Sequence, residues 1–259
     1  MAARSSLCSR WGSRRAVSAA GGWAVFVTSG GALTVPGAVA ALLLLLAAVG
    51  EPLARAHAAI RFHTDDGVTI AGYEFGRGRV AVILSHMYGT DQRVWFFLAE
   101  ELARRGYTAI TYDYRGVGRS GGRFVVAQTY RDALAAIAYA TRHGQRPVVL
   151  IGASMGGTVS LKAAALRPVA GVVVIASGMR FQGLDVRPHL PTLRTPKLFI
   201  AGTGDQPFAD SVRAMHARTP PPKALRLYPT AAHGTHLFAT RHGPAIQAEI
   251  LTFVRAHTD

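Results

Sequence analysis

Five short, uninterrupted apolar runs constrain this chain most: Val80–Ser85, Thr108–Tyr112, Val148–Ile151, Val172–Ile175 and Leu198–Ala201. They are too short for helices and lack polar alternation, which suits parallel strands buried on both faces. Helix-like stretches separate them. Trp95–Arg105 aligns Trp95, Leu98 and Leu102; Tyr130–His143 aligns Leu134, Ile137 and Ala138; Met155–Leu166 and Asp210–Arg218 follow. Leu225–Tyr228 reads as the last strand and Ala245–Ala256 as the last helix, with Ile246, Ile250 and Phe253 on one side. Ahead of the series, Ile60–Thr64 and Val68–Phe75 flank Asp65-Asp66-Gly67, a hairpin signal. An antiparallel start followed by strand and helix alternation predicts one α/β sheet covered by helices over residues 59–259.

Residues 1–58 have a different character. They begin basic and Ser-rich, and then run apolar from Ala38 to Val49 without a charged or polar side chain. That length fits a secretory h-region better than a spanning helix of about 20 residues. Arg14 and Arg15 supply a positive n-region, and Ala54-Arg55-Ala56 and Ala56-His57-Ala58 both place small residues at the −3 and −1 positions of a cleavage site. The expectation is export to the cell envelope or medium, with a mature chain starting near His57 or Ala59. The alternative is an uncleaved membrane anchor over residues 32–49. A leader of this length exceeds the usual 15–30 residues.

The single cysteine, Cys8, excludes a disulfide scaffold and a Cys-based zinc site. Net charge is +15, with 29 Lys+Arg against 14 Asp+Glu. Residues 1–58 hold five arginines against Glu51, so the remainder keeps +11. The only lysines are Lys162, Lys197 and Lys223. No basic run exceeds Arg14-Arg15 or Arg104-Arg105, and no basic stripe interleaves with aromatics, so the arginines read as scattered over a surface and no nucleic-acid partner is expected. A cationic envelope-binding protein is the reading that this charge would favour instead.

The strongest local signal is Gly152-Ala153-Ser154-Met155-Gly156-Gly157, directly after one buried run and directly before an Ala-rich helical stretch. Gly-x-Ser-x-Gly in a strand–turn–helix context presents the Ser hydroxyl on a sharp, strained turn. Side chains at 152 and 156 would collide with the neighbouring strand and helix. A nucleophilic Ser needs a base, and the base an orienting acid. In the nucleophile-elbow class the order is Ser, acid, His. Asp205 follows the Lys197–Ala201 strand by Gly202-Thr203-Gly204, at a strand's C-terminal end where ligand sites of open α/β sheets lie. Asp185 falls in an irregular segment, and Asp210 reads as the start or cap of a helix. His233 follows the Leu225–Tyr228 strand by a short loop, with His236 as its rival; His242 and His257 read as surface residues. An oxyanion hole needs two converging backbone N–H groups. Met155 supplies one, and Ser85-His86-Met87-Tyr88-Gly89 the other, with Tyr88 chosen and Met87 the fallback. His86 precedes Ser154 and reads as a packing or loop-fixing residue.

These segments resemble the α/β-hydrolase family. Ser85–Gly89 stands in place of the family's His-Gly-x oxyanion loop, and Asp113-Tyr114-Arg115-Gly116-Val117-Gly118-Arg119-Ser120 looks like its Asp-x-Arg-Gly-x-Gly-x-Ser segment. Gly152–Gly157, Gly202–Asp205 and His233-Gly234 complete the order. The resemblance implies a mostly parallel central sheet flanked by helices and a serine esterase acting on a small-molecule acyl substrate without cofactor or metal. It also implies that Asp113 is structural. Met87 departs from the Gly found in many members. Family caps usually enter after the sixth strand, where Ser177–Pro196 is too short for a helical cap domain. A capless site is similar to those of small esterases and of thioesterase-like or dienelactone-hydrolase-like members. A non-catalytic, ligand-binding hydrolase fold is the competing reading.

Overall fold

The computed structural model describes residues 57–259. The leader or anchor expected over residues 1–58 therefore lies outside the described residues, apart from His57 and Ala58. Among the described residues no helix is long and apolar enough to cross a membrane.

Among the described residues, ten strands and five α-helices follow one another: β1 (His57–His63), β2 (Thr69–Phe75), β3 (Ala81–Ser85), α1 (Phe96–Arg104), β4 (Thr108–Tyr112), α2 (Thr129–Arg142), β5 (Val148–Ala153), α3 (Met155–Leu166), β6 (Gly171–Ile175), β7 (Arg180–Phe181), β8 (Leu184–Asp185), β9 (Lys197–Gly202), α4 (Phe208–Arg218), β10 (Lys223–Tyr228) and α5 (Gly243–Ala256). Eight strands form one sheet in the order β1-β2-β4-β3-β5-β6-β9-β10. β2 runs antiparallel to both neighbours, and the strands from β4 to β10 are parallel. β7 and β8 form a separate two-stranded hairpin.

The apolar runs are buried because successive side chains enter opposite cores. Ile83, Leu150, Val172, Val174 and Phe199 join the core that includes residues of α2, α3 and α4. Val82, Leu84, Val149, Ile151, Val173, Ile175 and Ile200 join the core that includes Leu98 and Leu102 of α1 and Ile246, Ile250 and Phe253 of α5. The expected faces of α1 and α5 are the ones that meet the sheet, whereas α2 buries Ala133, Ala136, Ile137 and Ala140, leaving Leu134 half-buried and Ala138 outside both cores. β1 begins at His57 rather than Ile60, since pairing with β2 extends to His57 opposite Phe75. Asp210 lies inside the first turn of α4, which starts at Phe208. Ser177–Pro196, read as irregular, contains the β7–β8 hairpin and a short 3-10 turn at Leu190–Thr192, with no cap domain.

Arg115 ties the edge of the sheet to α2. Its Nε donates to Asp132 Oδ1 at 2.8 Å, its backbone N to Asp132 Oδ2 at 2.9 Å and its Nη1 to Asp66 Oδ2 at 2.7 Å. Asp132 is fully buried, and burial raises its carboxyl to about 6, against the lowering effect of the Arg115 hydrogen bonds. Arg115→Met removes that compensation and is expected to destabilise the fold by about 3–5 kcal/mol. A buried carboxyl with a raised native pKa binds its proton more tightly folded than unfolded, so its contribution is favourable at low pH and is lost as pH rises through that pKa. Urea unfolding of the variant should therefore show the deficit growing from about pH 5 to about pH 8.

Candidate active site

The chain reverses its direction of travel across the sheet between β4 and β5, which leaves β3 and β5 as neighbours with Ser85 level with Gly152. Such a switch point opens a crevice at the C-terminal strand ends. Ser154 sits there, between β5 and α3, with φ of 53° and ψ of −122°. This is a strained conformation for a residue with a Cβ. It is held by Ser154 N–H donating to Ile175 O at the end of β6, at 2.8 Å, and by Gly157 N–H donating to Ser154 O at 3.0 Å. A Cβ at Gly152 would strike the Gly156 carbonyl, and one at Gly156 would strike the Ser85 carbonyl. The flanking glycines let α3 come within backbone contact of two strands.

Asp205 and His233 reach the same point from the ends of β9 and β10. Asp205 is buried, and its position is fixed by Asp205 N–H donating to Gly202 O at 3.2 Å and by Ala209 N–H donating to Asp205 O at 2.7 Å. His233 Nδ1–H donates to Asp205 Oδ2 at 2.9 Å. A carboxylate can only accept, so this bond places the proton on Nδ1 and leaves Nε2 to accept from Ser154 Oγ–H at 2.8 Å. Phe208 packs on the imidazole with ring centroids 4.2 Å apart. Gly234 follows with φ of +57°, and a Cβ there would run into Met87 Sδ. Thr235 N–H donates to the same sulfur at 3.4 Å. The buried Met87 side chain thus packs against the His233 loop at Gly234 and Thr235.

The other sequence-derived residues fall elsewhere. His236 is exposed on the turn Gly234–Ala239, Asp210 pairs with Arg213 at 3.0 Å, and Asp185 pairs with Arg187 at 2.6 Å. Asp113 accepts from Gln92 N and Nε2 at 3.0 and 2.9 Å. His86 is buried, and burial lowers its pKa, favouring the neutral ring. Its Nδ1–H donates to Met87 O at 2.8 Å, and its Nε2 accepts from Tyr114 N–H at 3.3 Å. Thr90 Oγ1–H also donates to Met87 O, at 3.0 Å. A trans peptide points its N–H opposite its C=O, so these bonds turn the Tyr88 N–H away from the His86–Thr90 side. Among the described residues, neither the Tyr88 nor the Met155 amide donates to another protein group. Tyr88 itself is exposed, with Phe181 of β7 and Phe124 at ring distances of 5.1 and 5.7 Å. Neither that aromatic group nor Phe208 was legible from the sequence, because the rings come from unconnected loops. No cluster of three or more His, Cys, Asp or Glu side chains suited to a metal ion occurs among the described residues.

A mostly parallel eight-stranded sheet, helices on both faces and a serine turn after its central strand define an α/β-hydrolase fold, and this chain has it. A family model described as serine aminopeptidase, S33, matches residues 76–188. That stretch contains Ser154 and the Ser85–Gly89 loop but ends before Asp205 and His233. An esterase from Pyrococcus furiosus superposes with a TM-score of 0.71 at 14% identity, covering 81% of this chain and 94% of that one. An esterase from Exiguobacterium antarcticum gives 0.65 at 16%, covering 76% and 100%. A thermophilic esterase from Thermogutta terrifontis gives 0.65 at 19%, covering 78% and 100%.

Gly234→Ala puts a Cβ on a backbone held at φ of +57° and should strain the His233 loop and misplace Nε2. A loss of about 100-fold in kcat is expected, on the scale of a 1 Å misplacement. Hydrolysis of a chromogenic ester checks it, with thermal unfolding alongside to show that the fold persists.

Proposed function

We propose that the protein is a serine hydrolase of carboxylic esters. The observation that carries this reading is the relay from Asp205 through His233 to a serine held at φ of 53°. Ser154 Oγ attacks the ester carbonyl carbon as its proton passes to His233 Nε2. Asp205 keeps the imidazole tautomer and stabilises the imidazolium. The Met155 and Tyr88 amides receive the oxyanion, Met155 with the added field of the α3 N-terminus. Collapse expels the alcohol, which takes the proton from His233. Water then attacks the acyl-Ser154 ester with His233 again as base. Collapse of this second adduct breaks the acyl–Oγ bond, releases the acid and returns the water-derived proton from His233 Nε2 to Ser154 Oγ. The β7–β8 hairpin in place of a helical cap supports an open site for a small acyl substrate, and the solved structures of like fold include proteins described as esterases.

A second reading within the same chemistry is an aminopeptidase, which the description of the matched family model favours. An aminopeptidase must hold a substrate ammonium. Asp185, the acid of the hairpin, is instead taken up by Arg187, which supports the ester reading. Thioesters and lactones would enter the same acyl-enzyme path and differ only in the leaving group.

Ser154→Ala and His233→Ala should each lower kcat on the order of 10⁴–10⁶-fold with folding kept, and Asp205→Asn less than the nucleophile variant. Labelling by a fluorophosphonate probe should follow Ser154. A folded wild type that takes no label would reject hydrolysis in favour of a ligand-binding role. Steady-state rates on p-nitrophenyl esters against aminoacyl p-nitroanilides separate esterase from aminopeptidase.

We also propose export of the mature domain, supported by the Ala38–Val49 run and the paired Ala-x-Ala sites. His57 pairs with Phe75 in β1 and stacks on its ring at 5.1 Å. That packing favours cleavage after Ala56 over cleavage after Ala58. N-terminal sequencing of protein from its native host should read His57 first. An intact residue 1 in a membrane fraction would support the anchor over residues 32–49 instead, and in the soluble cytoplasm it would overturn both.

A further inference from the structure

The sequence scatters its arginines, but the fold gathers five of them at the end of the sheet opposite Ser154. Two cavities flank the loop from His143 to Pro147, which joins α2 to β5. One, of ≈ 590 Å³, is bordered by Arg77 and Arg79. The other, of ≈ 830 Å³, is bordered by Arg142, Arg146 and Arg167 together with apolar Leu134, Ile137 and Val169. Arg131, also on the larger cavity, pairs with Asp65 at 2.9 Å. Among the described residues the other five arginines make no side-chain ion pair or hydrogen bond. Leu166, beside Arg167 at the end of α3, is exposed at 44%.

The strand registers place this end in the molecule. His57 lies opposite Phe75, Phe75 opposite Ala109, Ala109 opposite Val82 and Val82 opposite Val149. β1 therefore begins level with the start of β5. Ser154 is five residues beyond Val149, about 17 Å along the strand. The apolar run Ala38–Val49 is joined to His57 by the seven residues 50–56, a tether of at most about 25 Å.

We infer that this arginine-bearing end docks on an anionic lipid bilayer, with phosphate headgroups between the guanidiniums of Arg77, Arg79, Arg142, Arg146 and Arg167 and with Leu166 toward the acyl boundary. Three observations point to lipid. The five arginines are clustered and outnumber the carboxylates of Glu74 and Asp65 on the same cavity walls, aliphatic Leu134, Ile137 and Val169 lie among those of the larger cavity, and in the chain before cleavage the apolar segment joins at the same end. Docking this way turns the Ser154 end away from the bilayer, open to substrates in the aqueous phase. Basic residues beside an anionic surface each strengthen binding about fivefold, and the attraction decays within a Debye length.

The full-length protein tests this by co-sedimentation with vesicles of phosphatidylcholine alone and of phosphatidylcholine with phosphatidylglycerol, at low and high salt. Wild type should gain from phosphatidylglycerol at low salt and lose the gain at high salt. R142E/R146E/R167E should lower partition onto phosphatidylglycerol vesicles on the order of 100-fold, leaving binding to phosphatidylcholine unchanged. R142Q/R146Q/R167Q, a milder change, should give a smaller loss in the same direction, and circular dichroism verifies that both variants are folded. The vesicle readout does not depend on the reaction assigned to Ser154. Folded variants that bind phosphatidylglycerol as wild type does would overturn the inference. So would a wild type indifferent to phosphatidylglycerol, including one that binds a single-stranded oligonucleotide instead.

Discussion

The site depends on how closely α3 approaches the ends of β5 and β3. Gly152 and Gly156 face backbone carbonyls at distances that no Cβ could occupy. With those side chains absent, the chain turns from strand to helix within one residue, and Ser154 takes up the strain at φ of 53°. Burial sustains that cost. All six residues of β5 and the first seven of α3 are buried, and the Ser154 amide is bonded to β6. A turn of this kind persists only because the surrounding sheet over-determines it.

Close contact also joins Met87 to the loop that carries His233. Met87 stands where a glycine would leave a gap, and its sulfur fills the space under Gly234 and accepts from Thr235. Its carbonyl is meanwhile held by His86 and Thr90. One residue therefore couples the loop that presents the Tyr88 amide to the loop that presents the imidazole. His86 is bonded in turn to Tyr114 of the Asp113–Ser120 segment. That segment, clamped by Asp113 to Gln92 and by Arg115 to Asp66 and Asp132, supports the site without lining it.

The two ends of the sheet divide the molecule's polar character. Strand C-termini carry the serine, imidazole and carboxylate in a group joined by two hydrogen bonds. Strand N-termini carry arginines that have none among the described residues. Parallel strands make this separation possible, because every βα loop falls at one end and every αβ loop at the other.

The sequence alone determined the strands, the helices and the serine turn, because each depends on residues adjacent in the chain. Apolar runs are buried wherever they lie in a parallel sheet, and Gly152 and Gly156 mark their turn through local sterics. It also put Ser154, Asp205 and His233 in loops at strand ends, since such loops can be read from where the strands stop, and the fold brings the three within hydrogen-bond reach. Other features are products of three-dimensional proximity. Which of His233 and His236 meets Asp205 depends on how the loop turns, and the fold turns the His233 ring inward and leaves His236 exposed. The start of β1 at His57 rather than Ile60 needed the partner strand, because edge residues exposed to solvent carry no hydrophobic signal. The rings around Tyr88, the hairpin in place of a cap and the gathering of arginines at one end join residues from loops far apart in sequence. No local pattern encodes such a meeting. It is decided when eight strands take their order and bring those loops to the same end of the sheet.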